Sequence, residues 1–366
     1  MGPMGLNDPI SASKLFVSDQ LFFLIEDGQI LVWNYQSHEQ YLIEIDYFLE
    51  LLELSRTNQC HDEKICRELL AANLVSETCV PSQPWGWDIL SKIFHIGTQN
   101  VGTRLADLSP ELFAKNYINH CVAIKEDMPT LFHEREGEVI ALPPPDISLL
   151  EKLPFFSVLK NRKTCRVFNA QSITLEELSS LLYASFGLIH GQWHELDQQD
   201  LIPTGIRTAS PASGGLHSEE AYIVAYRITG LQKGLYHYRL QDHQLTLLKP
   251  GDFEEKVVEM NYQQFFSEGM AFGIYITSRF EKLWWKYKHS RAYRAMLLDI
   301  GHVSQTFLLC STALGMQTWM TGAFHDTQVE DFLNIDVNTE SVILFVGAGK
   351  GTNQAIPKSM IEQLNN

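Results

Sequence analysis

The chain has 366 residues and a net charge of −16, with 45% hydrophobic and 20% charged residues. That is length enough for a large core and for two domains, in the proportions of a soluble globular protein. So negative a field sets aside non-specific binding to nucleic acid, and no apolar run approaches the roughly 18–20 residues of a membrane span.

The opening MGPMGLNDPISAS lacks the basic-then-apolar pattern of an export signal. Leu21–Glu26 and Gln29–Trp33 flank Asp27-Gly28, a strong two-residue hairpin signal. Tyr41–Ile45 reads as a further strand, after which Asp46 can cap a helix with Phe48, Leu51, Leu52 and Leu54 on its apolar side. Asp62–Asn73 reads as a second helix, with Ile65, Leu69, Leu70 and Ala72 apolar. Strands followed by two short helices suggest a winged-helix-like unit within residues 1–140. Its low positive charge favours contact with a peptide or protein over DNA. Pro84–Gln99, with two tryptophans, reads as a further helix that packs this region on the next domain. The cysteines are Cys60, Cys66, Cys79, Cys121, Cys165 and Cys310. No pair has CxxC spacing, and His61 to Cys66 does not match a zinc-ligand pattern, so no metal site is expected. Scattered thiols in a chain of this size suit a reducing, cytoplasmic compartment.

Ala141–Asp146, ALPPPD, cannot continue a helix or a central strand and is the best boundary, so residues 141–366 form the second domain. There Arg162–Phe168, RKTCRVF, is a cationic cluster able to hold a phosphate, or simply a solvated basic turn. In the following segment Thr174 and Glu177 form a capping box, Leu175, Leu178, Leu181, Leu182 and Phe186 make the apolar side, and Gly187 ends the helix. Arg207–Tyr222, RTASPASGGLHSEEAY, carries adjacent glycines that permit positive φ and a close backbone approach, or else forms an ordinary turn before a strand. Strands are expected at 221–228, 235–239, 245–248, 271–277 and 342–346, and Arg291–Gly315 is a core helix by its nearly all-round apolar pattern. Gly347–Thr352, GAGKGT, looks like a phosphate loop but lacks Ser or Thr after Lys350, so Lys350 offers one phosphate contact at most.

These pieces, in this order, resemble the flavin-dependent nitroreductase family, and most closely its SagB/McbC-type dehydrogenase branch, the azoline oxidases. The resemblance covers about residues 150–350 and implies an α+β fold, a sheet flanked by helices, and a homodimer with FMN at the subunit interface. It implies that Arg162, Lys163, Thr164 and Arg166 meet the phosphate and ribityl groups. Pro211, Ala212, Ser213 and Gly214 correspond to the loop lining the isoalloxazine, and Thr321 and Gly322 to the segment near flavin N5. The family usually reads Pro-Ser where Pro211-Ala212 stands, and Ser where Thr164 stands. A cationic clamp and close backbone donors also suit FMN physically, and no GxGxxG fingerprint points to a resident dinucleotide.

The same branch uses an adjacent Lys-Tyr pair, which Lys286-Tyr287 in WWKY resembles. Azoline aromatisation removes one carbon-bound hydrogen as a proton and another as hydride, so a base is needed, and a neighbouring ammonium can lower a phenol's pKa. Neighbours in a helix point about 100° apart, so both reach one substrate only where the backbone is irregular or a helix begins. Trp284 and Trp285 could shape a flat apolar slot. The implied activity is oxidation of thiazoline or oxazoline to azole on a peptide or a carrier-protein-bound intermediate. Alternatives are an NAD(P)H-driven reductase of nitro, quinone or dehydroamino-acid substrates, and a non-catalytic scaffold subunit.

Overall fold

The computed structural model describes residues 14–79, 84–101, 109–190, 206–352 and 354–364, so the opening stretch read for an export signal lies outside the described residues. The chain forms two compact units, Met1–Thr103 and Arg104–Asn366.

In the first unit, β1 (Phe16–Val17) precedes an antiparallel meander of β2 (Leu21–Glu26), β3 (Gln29–Asn34) and β4 (Glu39–Ile43). Asp27 and Gly28 both take positive φ, 48° and 76°, as a two-residue hairpin turn with right-handed strand twist requires. The first helix, α1 (Ile45–Thr57), is preceded by Glu44 rather than capped by Asp46, which sits inside the first turn where its charge faces the helix dipole. In α2 (Glu63–Ala71) the Asp62 carboxylate accepts from the Ile65 N–H at 3.0 Å. Then β5 (Val75–Ser76) pairs with β1, and α3 (Ile89–Gly97) follows a cap by Asp88. The core gathers Val32, Leu51, Leu54, Cys66, Leu69 and Leu74. Cys60 and Cys66 are joined as a disulfide. This departs from six free thiols: the first turns of α2 lay Cys66 back over the loop that carries Cys60, a geometry that CxxC spacing does not detect.

The second unit begins with α4 (Pro110–Ile124) and β6 (Glu138–Ala141). Next come α5 (Phe155–Asn161), β7 (Ile173–Thr174), α6 (Leu175–Phe186), β8 (Glu219–Ala225), β9 (Ile228–Thr229), β10 (Gly234–Arg239) and β11 (Gln244–Pro250). The chain continues through α7 (Glu254–Met260), β12 (Phe272–Arg279), α8 (Phe280–Lys286), α9 (Arg291–Ala313), β13 (Gln317–Thr321), α10 (Asp326–Leu333), β14 (Glu340–Gly349) and α11 (Lys358–Leu364). Seven strands make an antiparallel sheet in the order β13-β14-β12-β8-β10-β11-β6. Strand alternation divides β8 between two cores: Ala221, Ile223 and Ala225 face α6 and α9, with Leu178, Leu182, Met296 and Phe307. Tyr222 and Val224 face the other side, with Val257, Val329 and Phe332 from α7 and α10.

The division into units does not fall at the proline stretch. β6 pairs with β11 across Ala141–Gln244, and the Trp285 indole donates to the Ile124 carbonyl at 2.7 Å, so the segment from α4 to Ala141 belongs to the second unit. The prolines follow an edge strand, where no ladder donor is lost. At α6 the capping box is reciprocal: Glu177 N–H to Thr174 Oγ1 at 3.1 Å, and Thr174 N–H to Glu177 Oε2 at 2.9 Å. Among the described residues no helix is long and apolar enough to cross a membrane.

Candidate active site

Lys286 is the last residue of α8 and Tyr287 caps its C-terminus at φ −123°, ψ 89°. Leaving the helix there removes the 100° divergence of adjacent helical side chains, and the two converge on the loop after β7–α6. That loop closes as a tight turn over Ser213–Gly215, with Gly214 and Gly215 at φ 62° and 68°. A Cβ at Gly214 would lie 2.5 Å from Tyr287 Oη and 3.1 Å from Lys286 Nζ. Glycine is therefore required twice there, by its left-handed backbone and by the two side-chain ends packed against it.

Lys286 is almost wholly buried, 3% exposed. Its Nζ donates to Tyr117 Oη at 3.1 Å and to the Gly214 carbonyl at 3.4 Å, and it lies 5.3 Å above the Tyr117 ring. From the same helix, α4, a His120 ring nitrogen meets the Lys286 carbonyl at 3.3 Å, and the buried Cys121 thiol lies beside the two tyrosines. Burial pushes the Lys286 pKa below its usual 10.5, Cys121 opposing the shift. Burial pushes the Tyr287 phenol up, with Cys121 and Asp299 adding to the rise. An ammonium next door thus does not make Tyr287 a stronger acid, contrary to the sequence expectation: removal from water outweighs it. Tyr117 is carried up to about 12, burial first and Cys121 second.

Asp299 of α9 completes the turn. Its carboxylate accepts from the Ser213 N–H at 2.9 Å and from Ser213 Oγ at 3.2 Å, and burial raises its pKa while these two bonds lower it. The Ser213 N–H is thereby engaged within the protein. Sequence reading passed over Asp299, Tyr117 and Cys121. A lone Asp within an apolar helix was one available signal, and Ser109-Pro110-Glu111, a helix start with Pro at its first position, was the other.

The basic segment runs beside the sheet edge. Arg162 ends α5, Thr164 bridges Thr318 of β13, and the Cys165 N–H donates to the Thr318 carbonyl at 2.8 Å. Lys163 is exposed and Arg162 half-buried. Arg166 turns the other way, donating to the Ala355 carbonyl at 2.6 Å with its guanidinium over the Phe266 ring. At the far end of β13, Thr321 Oγ1 accepts from the Ala323 N–H at 3.0 Å, fixing the turn, and a Cβ on Gly322 would meet only Leu344 Cδ1 at 4.0 Å. Pro211 and Ala212 lead into the Ser213 turn, and the Ala212 carbonyl accepts from the Gly215 N–H. α9 packs against this turn, against α5 and against β13.

Lys350 is held by Glu177, the capping-box carboxylate of α6, at 3.1 Å. The glycines around it serve the sheet: a Cβ on Gly349 would meet the Ala271 backbone nitrogen at 2.7 Å, and one on Gly347 the Met270 sulfur at 2.4 Å. Trp285 is buried with its indole bonded to α4, while Trp284 is 48% exposed, so the pair does not form one flat slot. The set nonetheless fits FMN: a basic segment beside β13, an open face at Gly322, and a glycine turn that only backbone can occupy. Arg162, Lys163 and Thr164 would hold the phosphate side, and the Pro211–Gly214 turn with Thr321-Gly322 the ring side.

Residues 159–350, just over half of the chain, match the nitroreductase family. The chain is 26% identical over 199 residues to MJ1384 of Methanocaldococcus jannaschii, a nitroreductase by name, covering 54% of this chain and 92% of that one. It is 29% identical over 153 residues to the trifolitoxin-processing protein TfxB of Rhizobium leguminosarum bv. trifolii, covering 40% of this chain and 41% of that one. A solved nitroreductase-type structure from Anabaena variabilis has a TM-score of 0.52 at 22% identity, covering 75% of this chain and 49% of that one. The chain thus spans less than half the length of TfxB and of the Anabaena protein.

Proposed function

We propose a specific reaction for this chain, which belongs to the nitroreductase family of FMN-dependent oxidoreductases: it dehydrogenates thiazoline or oxazoline rings to azoles on a peptide or carrier-bound intermediate. The observation that carries this reading is the convergence of Lys286 and Tyr287 on Gly214. Bound FMN supplies a two-electron acceptor for the hydride. What remains for the protein is the proton, and a buried lysine with a depressed pKa is suited to take it from the ring carbon. Tyr287, its phenol held protonated, serves as a hydrogen-bond donor that orients the substrate beside Lys286. Tyr117 and the Gly214 carbonyl keep the amine aimed. TfxB is named for processing trifolitoxin, and that name supports a maturing toxin intermediate as the kind of substrate.

The active form is a homodimer in this reading, and α9 offers an apolar surface for it: Tyr293, Leu297 and Leu298 are exposed. The first unit takes the role of docking the peptide or carrier.

The test is anaerobic mixing of the purified yellow protein with a thiazoline-containing peptide. Loss of flavin colour with formation of the thiazole, and recovery of colour on admitting oxygen, is the expected outcome. Bleaching by NADPH alone, with no response to any azoline, would instead make the chain a reductase. A colourless protein that binds no FMN would make it a scaffold.

A further inference from the structure

Away from the site just described, a second cluster of polar side chains lies inside the sheet. Alternation along β8 and β10 puts Glu220 and His237 on the face of Tyr222 and Leu235, and Thr277 of β12 pairs with Glu220. On so apolar a face a carboxylate and an imidazole are costly unless they have a task. His237 is 0% exposed and Glu220 7%. Glu220 Oε2 meets His237 Nε2 at 3.0 Å. His133, from the segment before β6, turns its ring to 5.5 Å from that of His237. Glu340 of β14 stands behind, with Oε2 3.7 Å from His133 Nδ1.

One nitrogen from each histidine and one oxygen of Glu220 lie within 4.8 Å of one another. Among the described residues, the Nδ1 atoms of both His133 and His237 have no hydrogen-bond partner. Buried polar atoms left in this state call for an explanation. Arg279 is ion-paired to Glu220 but does not close the cluster. Its Nε and Nη2 are bonded to Glu281, and its Nη1 reaches Glu220 Oε1 only at 3.6 Å. Lys282 donates to the His217 carbonyl, and Arg135 to Tyr222 and to the carbonyls of Leu333 and Asn334. A cavity of about 600 Å³, lined by His133, Arg135, Lys249, Asn334 and Glu340, opens onto the cluster from solvent.

We propose that His133, Glu220 and His237 form a binding site for a divalent transition-metal ion of the zinc class, with Glu340 or a water from the cavity as the fourth ligand. Imidazole and carboxylate suit zinc, and its ligand atoms stand roughly 3.3–3.6 Å apart at bond lengths of 2.0–2.2 Å. The three side chains reach that spacing by rotamer-scale adjustment. The ion holds β8, β10 and the 125–137 connection together, so its role is structural. It stands independently of the azoline reading, since none of its ligands belongs to the Lys286 site.

Equilibrium dialysis of the full, FMN-containing chain against ZnCl₂, without reductant so that the Cys60–Cys66 disulfide stays closed, tests it by elemental analysis. The wild type is expected to retain one zinc per chain. His133→Ala, at a partly exposed position that folding tolerates, and Glu220→Gln, which keeps the side-chain shape, should weaken retention by about tenfold or more with flavin absorbance unchanged. A wild type that retains no zinc, or zinc that both variants keep, overturns the proposal. So does zinc lost on Cys66→Ser instead, which would place it in the first unit.

Discussion

Two glycine-rich stretches of the second unit look alike in sequence and differ in what their glycines do. In Pro211–Gly215 the missing Cβ at Gly214 leaves room for Tyr287 Oη and Lys286 Nζ, the mobile ends of two side chains. In Gly347–Gly351 the missing Cβ at Gly349 leaves room for backbone, the nitrogen of Ala271 and the Cα of Met270. The first accommodates two side-chain ends, to which we assign the chemistry, and the second accommodates a sheet. A glycine-rich string alone cannot separate these cases, because the reason for a glycine lies in what faces it.

The largest effect expected from the first stretch falls on its partner. Lys286→Met should retain FMN and lose turnover by about 10²–10⁴-fold, the usual contribution of a positioned base. Stability should move the other way. Lys286 titrates below 10.5 when folded, so the folded state binds fewer protons than the unfolded one between that lowered value and 10.5. Stability therefore rises with pH through this window, and below it the full cost of burying the ammonium is present. Methionine removes that cost, so thermal melts at neutral pH should show the variant as the more stable protein. In the wild type kcat/KM should rise with pH to an inflection below 10.5. An inflection above 10 that vanishes in Tyr287→Phe would move the base to the phenol, whose pKa is raised.

A paired substitution tests the comparison directly. Gly214→Ala puts a methyl against Tyr287 and Lys286 at a φ of 62°, so it displaces the pair and strains the turn by about 1–3 kcal/mol. Activity should fall well beyond what the stability change explains. Gly349→Ala pushes β14 off the Met270–Ala271 backbone, with an overpacking cost of about 1–3 kcal/mol and no methyl near Lys286. Specific activity of its folded fraction should stay near that of the wild type. Equal activity losses in the two variants would erase the distinction between the stretches.

What could be read ahead of the structure follows the same division. The Asp27-Gly28 hairpin, the Thr174–Glu177 capping box and the long α9 were legible because each rests on local chemistry: positive φ, orphan N–H groups, helical periodicity. Lys286-Tyr287 was legible as a pair but not as a geometry, since the helix ends between them only in the folded chain. Cys60–Cys66, the Asp299–Ser213 bonds, Tyr117 against Lys286, and His133 beside Glu220 and His237 were not legible. Cys60–Cys66 depends on how one loop folds back over the helix that follows it, and the others join elements by tertiary packing, so no spacing rule covers them. The boundary at 140/141 failed for a related reason: prolines mark the end of a strand, but the sheet that strand joins is assembled from beyond them.

The smallest expected effect concerns Lys350, which sequence reading could leave as a phosphate contact. Its Nζ sits 3.1 Å from Glu177 Oε1, while Glu177 Oε2 accepts the Thr174 N–H that begins α6. Both partners are partly exposed, at 28% and 21%, so solvent screens the pair and about 0–1 kcal/mol is at stake. Lys350→Met should then leave FMN affinity within about twofold of wild type, because one exposed-type ion pair is all that is lost. Arg162→Ala and Lys163→Ala, which remove groups proposed to face the phosphate, should each weaken FMN by about tenfold, the size of a charge-assisted bond. Fluorescence titration of apoprotein with FMN ranks the three. A Lys350 variant that weakens FMN as much as Arg162→Ala would mean that FMN draws the lysine away from Glu177, and the GAGKGT stretch would then join the site rather than only the sheet.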